Sequence, residues 1–110
     1  MNKLPFVFAA TVVAALVVTG CANSRTSGPT DMGDGTYIIA SYTKTLSPQR
    51  VKLLQMANEW CEDKGQKAEF DSIMVVDRRS GLSKAIGPKE AIPYRAGNIE
   101  VIFHCVKPEA

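Results

Sequence analysis

Three groups of side chains in this sequence are of types that do chemistry: the cysteines Cys21, Cys61 and Cys105, the single histidine His104, and the serine–lysine pair in Ser41-Tyr42-Thr43-Lys44. A thiolate can be a nucleophile, a metal ligand or half of a disulfide, and its compartment and neighbours decide which. Cys105 follows His104, a pairing that metal sites and thiol–histidine catalysis both use. Adjacent residues of a strand point to opposite faces, however, and zinc needs about four ligands, or three and a water. His104 therefore reads as a surface histidine, and no metal site is expected. Ser41 to Lys44 matches the Ser-x-x-Lys nucleophile pattern, which works at a helix start where both side chains meet on one face. Here it falls at a strand end with neither companion motif, so it reads as a chance match and no catalytic residue is assigned. Asp31-Met32-Gly33-Asp34-Gly35 lacks the carboxylate spacing and closing glutamate of a calcium loop. No cofactor is expected.

The element that places the rest is the amino-terminal stretch. Met1-Asn2-Lys3 gives a short positive start, Leu4 to Val18 an apolar centre, and Thr19-Gly20 a small-residue end. An apolar centre of about fifteen residues, at roughly 1.5 Å per helical residue, falls short of a ~30 Å hydrocarbon core. Residues 1–20 thus read as a cleaved export signal rather than a membrane span. Val18-Thr19-Gly20-Cys21 resembles the bacterial lipobox, in which an aliphatic and two small residues precede a cysteine. That resemblance implies cleavage before Cys21, a diacylglyceryl thioether on its sulfur and an acylated amino terminus. Two or three acyl chains pass the threshold for stable anchoring, at about 0.8 kcal/mol per buried methylene. Alanine rather than aspartate at position 22 implies the outer membrane, periplasmic face, under enterobacterial sorting.

Residues 21–110 leave one domain at most. Without Lys3 the thirteen basic residues become twelve against eleven acidic ones, a balance that argues against nucleic acid. About seventy folded residues bury only a marginal core, so a covalent staple is expected. With Cys21 taken by lipid, Cys61 and Cys105 form an even pair in an oxidising compartment. Their bridge closes a loop of about 45 residues, worth on the order of 4 kcal/mol in the chain-entropy model.

Residues 21–35 begin with the lipid and continue as Ala22 to Gly35, rich in Gly, Ser, Thr and Pro, which reads as a flexible tether. The domain is expected over 36–107. Thr36 to Thr43 reads as a strand, with either the Tyr37/Ile39/Ser41 or the Ile38/Ala40/Tyr42 face inward. Ser47 to Lys64 reads as a helix, capped by Ser47, with Pro48 in its first turn, a Leu46/Val51 staple and Gly65 ending it. Leu53, Leu54, Ala57, Trp60 and Cys61 follow its 3.6-residue period, so Cys61 points inward and Trp60 reads as core. Lys67 to Asp77 reads as a second strand, Arg78 to Gly97 as a long loop, and Asn98 to Lys107 as a third strand. Ile99, Val101, Phe103 and Cys105 share one of its faces. The fold expected is α+β: a small β-α-β-β domain, a three-stranded sheet with one helix on one face and one disulfide.

A tyrosine-bearing strand, a helix ending in Ala57-Asn58-Glu59-Trp60-Cys61 before Gly65, and a closing Phe103-His104-Cys105 resemble a group of small, uncharacterised proteobacterial lipoproteins. The resemblance covers most of residues 36–106 and implies the same fold and bridge; the group carries no established activity. This chain departs from it in the basic loop, where Arg78, Arg79, Lys84, Lys89 and Arg95 stand against Glu90 alone. Such a loop fits anionic contacts: lipid headgroups, lipopolysaccharide phosphates or wall polymers. Tyr94 within it reads equally as a partner-contact aromatic or as core. The expected function is a membrane-anchored envelope lipoprotein that binds a partner without catalysis. The alternative is a small inhibitor of a hydrolase such as lysozyme, its preorganised loop losing little entropy on binding.

Overall fold

Runs of β-branched and aromatic residues form the centre of the sheet, and the computed structural model of the chain describes them within residues 24–108. The export segment and Cys21 lie outside the described residues. The elements are β1 (Ser24–Asp31), β2 (Thr36–Thr43), α1 (Leu46–Glu62), β3 (Lys67–Asp77), β4 (Ser83–Ala85) and β5 (Gly97–Val106). The strands form one antiparallel sheet in the order β1-β2-β5-β3-β4. β2, α1 and β3 make a split β-α-β unit, with β5 inserted between its two parallel strands.

Among the described residues the fold is α+β with one helix, as the sequence implies, but the sheet has five strands instead of three. The first added strand, β1, occupies residues that read as tether. Its sequence SRTSGPTD carries no apolar side chain to announce a strand. Its order comes from backbone pairing to β2, with a register shift at Gly28-Pro29 that takes a proline without a missing ladder bond. The second, β4, is a three-residue edge strand inside the segment read as loop, paired to Met74–Val76.

α1 covers one face. Tyr37, Ile39 and Ser41 of β2 turn toward it, settling the register that sequence left open. Ile39, Leu46, Leu53, Ala57, Cys61, Val75, Ile99, Val101 and Phe103 are wholly buried there. Cys61 and Cys105 form the disulfide, with Cα atoms 5.4 Å apart. Trp60 is half-buried at the rim, edge-on to Tyr37 at 5.7 Å, with the Lys64 ammonium 4.1 Å from its ring.

The helix ends as expected and starts differently. Gly65 takes φ 71°, its N–H donates to the Glu62 carbonyl, and the Gln66 N–H donates to the Cys61 carbonyl, a Schellman closure. At the other end Thr45, not Ser47, is the cap residue, and no side chain bonds the open N–H groups. Instead the Leu46 N–H donates to the Arg95 carbonyl at 2.8 Å. The Leu46/Val51 staple does not form: Leu46 is buried but Val51 is 54% exposed.

Candidate functional site

Three chain segments reach one end of the sheet together. β2 runs out at Thr43, β3 at Asp77, and β5 starts at Gly97; Thr43 pairs with Gly97, and Gly97 with Asp77. Lys44, Arg78, Arg79 and Arg95 all lie within two residues of these positions. With Asp77, Pro93, Tyr94 and Ala96 they line a cleft of about 690 Å³. The Arg78 N–H donates to the Ala96 carbonyl at 3.0 Å, which ties two of its walls.

Gly97 makes that closeness possible. A Cβ on Gly97 would lie 1.8 Å from the Val76 carbonyl oxygen, at a φ of 154°. Asp77 shapes the adjoining hairpin: its carboxylate accepts from the Ser80 N–H at 3.1 Å and the Ser80 hydroxyl at 2.7 Å. The hydroxyl bond, against a small desolvation cost and aided by the Ser80 and Arg79 N–H groups and the Arg79 charge, holds the Asp77 carboxyl below its ordinary value. Asp77 is thereby engaged in its own turn, and Arg78 and Arg79 stand exposed at the tip.

The expected basic set divides. Arg78, Arg79 and Arg95 share the cleft. Lys84 lies on β4 with its ammonium 3.7 Å from Glu90, and Lys89 is exposed on the segment beyond, outside the cleft. That segment is tied to the helix, since the Arg50 guanidinium donates to the carbonyls of Gly87 and Glu90. Lys44 joins the cleft from a distant part of the sequence. Only its position one residue past a strand end hinted at this. Tyr94 is half-buried as a cleft wall. Among the described residues, none of Lys44, Arg78, Arg79 and Arg95 forms an ion pair within 4 Å.

The other candidates have structural surroundings. Ser41 is 4% exposed, and its hydroxyl meets the Gln49 amide at 2.9 Å and Thr26 at 3.0 Å. Gln49 also reaches Thr26, so one buried amide joins α1 to β2 and β1. Lys44 lies past the strand end, one residue beyond Thr43. His104 is on the helix-free face, opposite in direction to the bridged Cys105. Its Nδ1 is 2.9 Å from Asp71 and its Nε2 3.4 Å from Glu69. A register shift between Phe70 and Ser72 leaves Asp71 unpaired and brings it there. The Asp71 hydrogen bond, against a small desolvation effect and aided by the charges of Asp71 and Glu69, raises the His104 pKa. Among the described residues no group of three His, Cys, Asp or Glu is placed to hold a metal ion, and no helix is long and apolar enough to cross a membrane.

A second, shallower groove of about 360 Å³ crosses the helix-free face beside Arg25, Tyr42 and Glu100. The cleft and groove therefore differ in balance: the first sets four cations against the single carboxylate of Asp77, the second one cation, Arg25, against one carboxylate, Glu100. Compared with known proteins, the chain matches no family model, no curated protein and no solved structure.

Proposed function

We propose that this chain is a lipid-anchored module of the bacterial cell envelope, held through Cys21 and working by binding rather than by catalysis. The observation that carries this reading is the cleft at the Thr43–Gly97–Asp77 end, lined by a half-buried tyrosine and four cations that have no ion-pair partner among the described residues. Clustered cations on a rigid sheet end complement anionic envelope groups: lipid headgroups, lipopolysaccharide phosphates or wall polymers. The anchor rests on the Val18-Thr19-Gly20-Cys21 tetrapeptide behind an export-like segment, and Ala22 favours the outer membrane, periplasmic face. The non-enzymatic part is supported by Ser41 being buried behind Gln49 and by His104 being held between two carboxylates. The test is crosslinking in intact cells, paired with mass spectrometry of the mature protein. An acyl mass on Cys21 and a specific crosslink through the cleft are expected. Substrate turnover by the purified protein with no specific crosslink would overturn the reading.

A second reading is a hydrolase inhibitor, favoured by the Asp77–Leu82 hairpin, which offers two exposed arginines from a disulfide-stapled sheet. An acidic cleft such as that of lysozyme would accept it. The absence of lysozyme inhibition at micromolar protein, about the range where weak complexes form, would set it aside.

A further inference from the structure

The start of β1 limits how far this domain can stand from its anchor. Ser24 is three residues beyond Cys21, and three extended residues cover about 10 Å. Ser24 pairs with Thr43, so it continues the row formed by Thr43, Gly97 and Asp77. With strands about 4.8 Å apart, that row of four is about 14 Å wide. The attachment point and the cationic cleft are thus at the same end of the sheet.

Two independent features mark that end as a membrane-facing surface. Leu82, bonded through its carbonyl to the Asp77 N–H, is 63% exposed beside Arg78 and Arg79; bare apolar side chains among cations are what interfacial binding uses. The helix charges run against the macrodipole as well. No acid sits in the first turn of α1 and no base in its last, where Glu59 and Glu62 lie near Asp63. That arrangement opposes local helix stability but makes the cleft end more positive and the far end, where Asp31, Glu59, Glu62, Asp63, Glu69 and Asp71 outnumber Lys64, Lys67 and Lys107, more negative.

We infer that the domain docks its Lys44–Arg78–Arg79–Arg95 end on the anionic phosphate headgroups of the same bilayer that holds its lipid, and so lies on the membrane instead of reaching away from it. This inference rests on the lipid-anchor reading above. The connection of about 10 Å and the row of about 14 Å keep the cations within about three Debye lengths of the attachment point, ~8 Å each at physiological salt.

The experiment uses the full acylated protein in vesicles of phosphatidylethanolamine with phosphatidylglycerol, against vesicles of phosphatidylcholine alone. Hydrogen exchange is read by mass spectrometry, which also reports the mass of the Cys21 peptide. Amides near Lys44, Arg78 to Leu82 and Arg95 to Ala96 should exchange more slowly on the anionic vesicles, by roughly fivefold for each engaged cation. The slowing should vanish at about 1 M salt, where the Debye length is about 3 Å, and in an R78Q/R79Q/R95Q variant. A K64Q/K67Q/K107Q variant, with the same charge change at the opposite end, should keep it; an intact Cys61–Cys105 bridge and unchanged exchange in β5 report folding of both. An acylated protein with equal exchange on both vesicles overturns the docking and leaves the anchor standing. An unacylated Cys21 overturns the anchor and the docking together. Slowing by a soluble anionic wall polymer, but not by phosphatidylglycerol, assigns the cleft to a different partner and also overturns the inference.

Discussion

At one end of the sheet a disulfide ties α1 to β5, the Lys64 ammonium covers the Trp60 ring, and His104 lies between Asp71 and Glu69. At the other, Lys44, Arg78, Arg79 and Arg95 line a cleft whose walls are joined by backbone hydrogen bonds and by a glycine contact. The first end pairs its histidine with two carboxylates and is fastened by covalent and aromatic contacts. The second leaves its four cations without ion pairs among the described residues, and its Asp77–Ser80 bonds close a turn without joining the cleft walls. In a domain this small, fixing one end allows the other to keep like charges together, since mutual repulsion between exposed cations costs little in water.

Breaking the fastened end should have the largest effect. A C61S/C105S variant is expected to lose about 2–5 kcal/mol, read as a lower denaturant midpoint; an unchanged midpoint would mean the aromatic contacts suffice without the bridge. At the cleft end, Gly97→Ala must push β5 away from the Val76 carbonyl, with an expected loss of about 3 kcal/mol and a distorted cleft. Between the ends, Gln49→Ala removes the amide shared by Ser41 and Thr26, which can still bond each other at 3.0 Å. A loss of about 1–2 kcal/mol is expected, with faster hydrogen exchange in β1. Neutralising Arg78 and Arg79 should change stability by no more than about 0.5 kcal/mol, and a larger loss would show that the cleft cations do hold the fold.

The smallest effect concerns pH. The folded-state pKa of His104 is raised above its ordinary 6.5, so its contribution is full below the unfolded value and disappears as pH rises through the folded one. Denaturant midpoints of the wild type should therefore fall slightly, relative to those of His104→Gln, as pH rises from about 6 toward 8. Parallel curves would show that the pairs with Asp71 and Glu69 contribute nothing.

Much of this is legible in the sequence where one side chain pattern decides the outcome. The period of α1 and the alternation of β5 put Cys61 and Cys105 on facing surfaces, and Gly65 closes the helix because a left-handed turn there needs no Cβ. Other features depend on residues far apart along the chain. Ser47 and Val51 looked like helix-start signals by type, but the Arg95 carbonyl supplies the bond and Val51 has nothing to pack on. His104 read as a lone surface residue because its partners lie 33 and 35 positions away and arrive through a bulge.

By itself the sequence determined the α+β class, the three central strands, the helix and the staple, because periodic burial is a local property of the chain. Tertiary structure decided the two edge strands and the cleft. β1 and β4 have no apolar period of their own and exist because a neighbouring strand offers unpaired backbone N–H and C=O groups. Lys44, Arg78 and Arg95 converge for a similar reason: antiparallel registry brings three strand ends into one row, and no spacing along the sequence encodes that row.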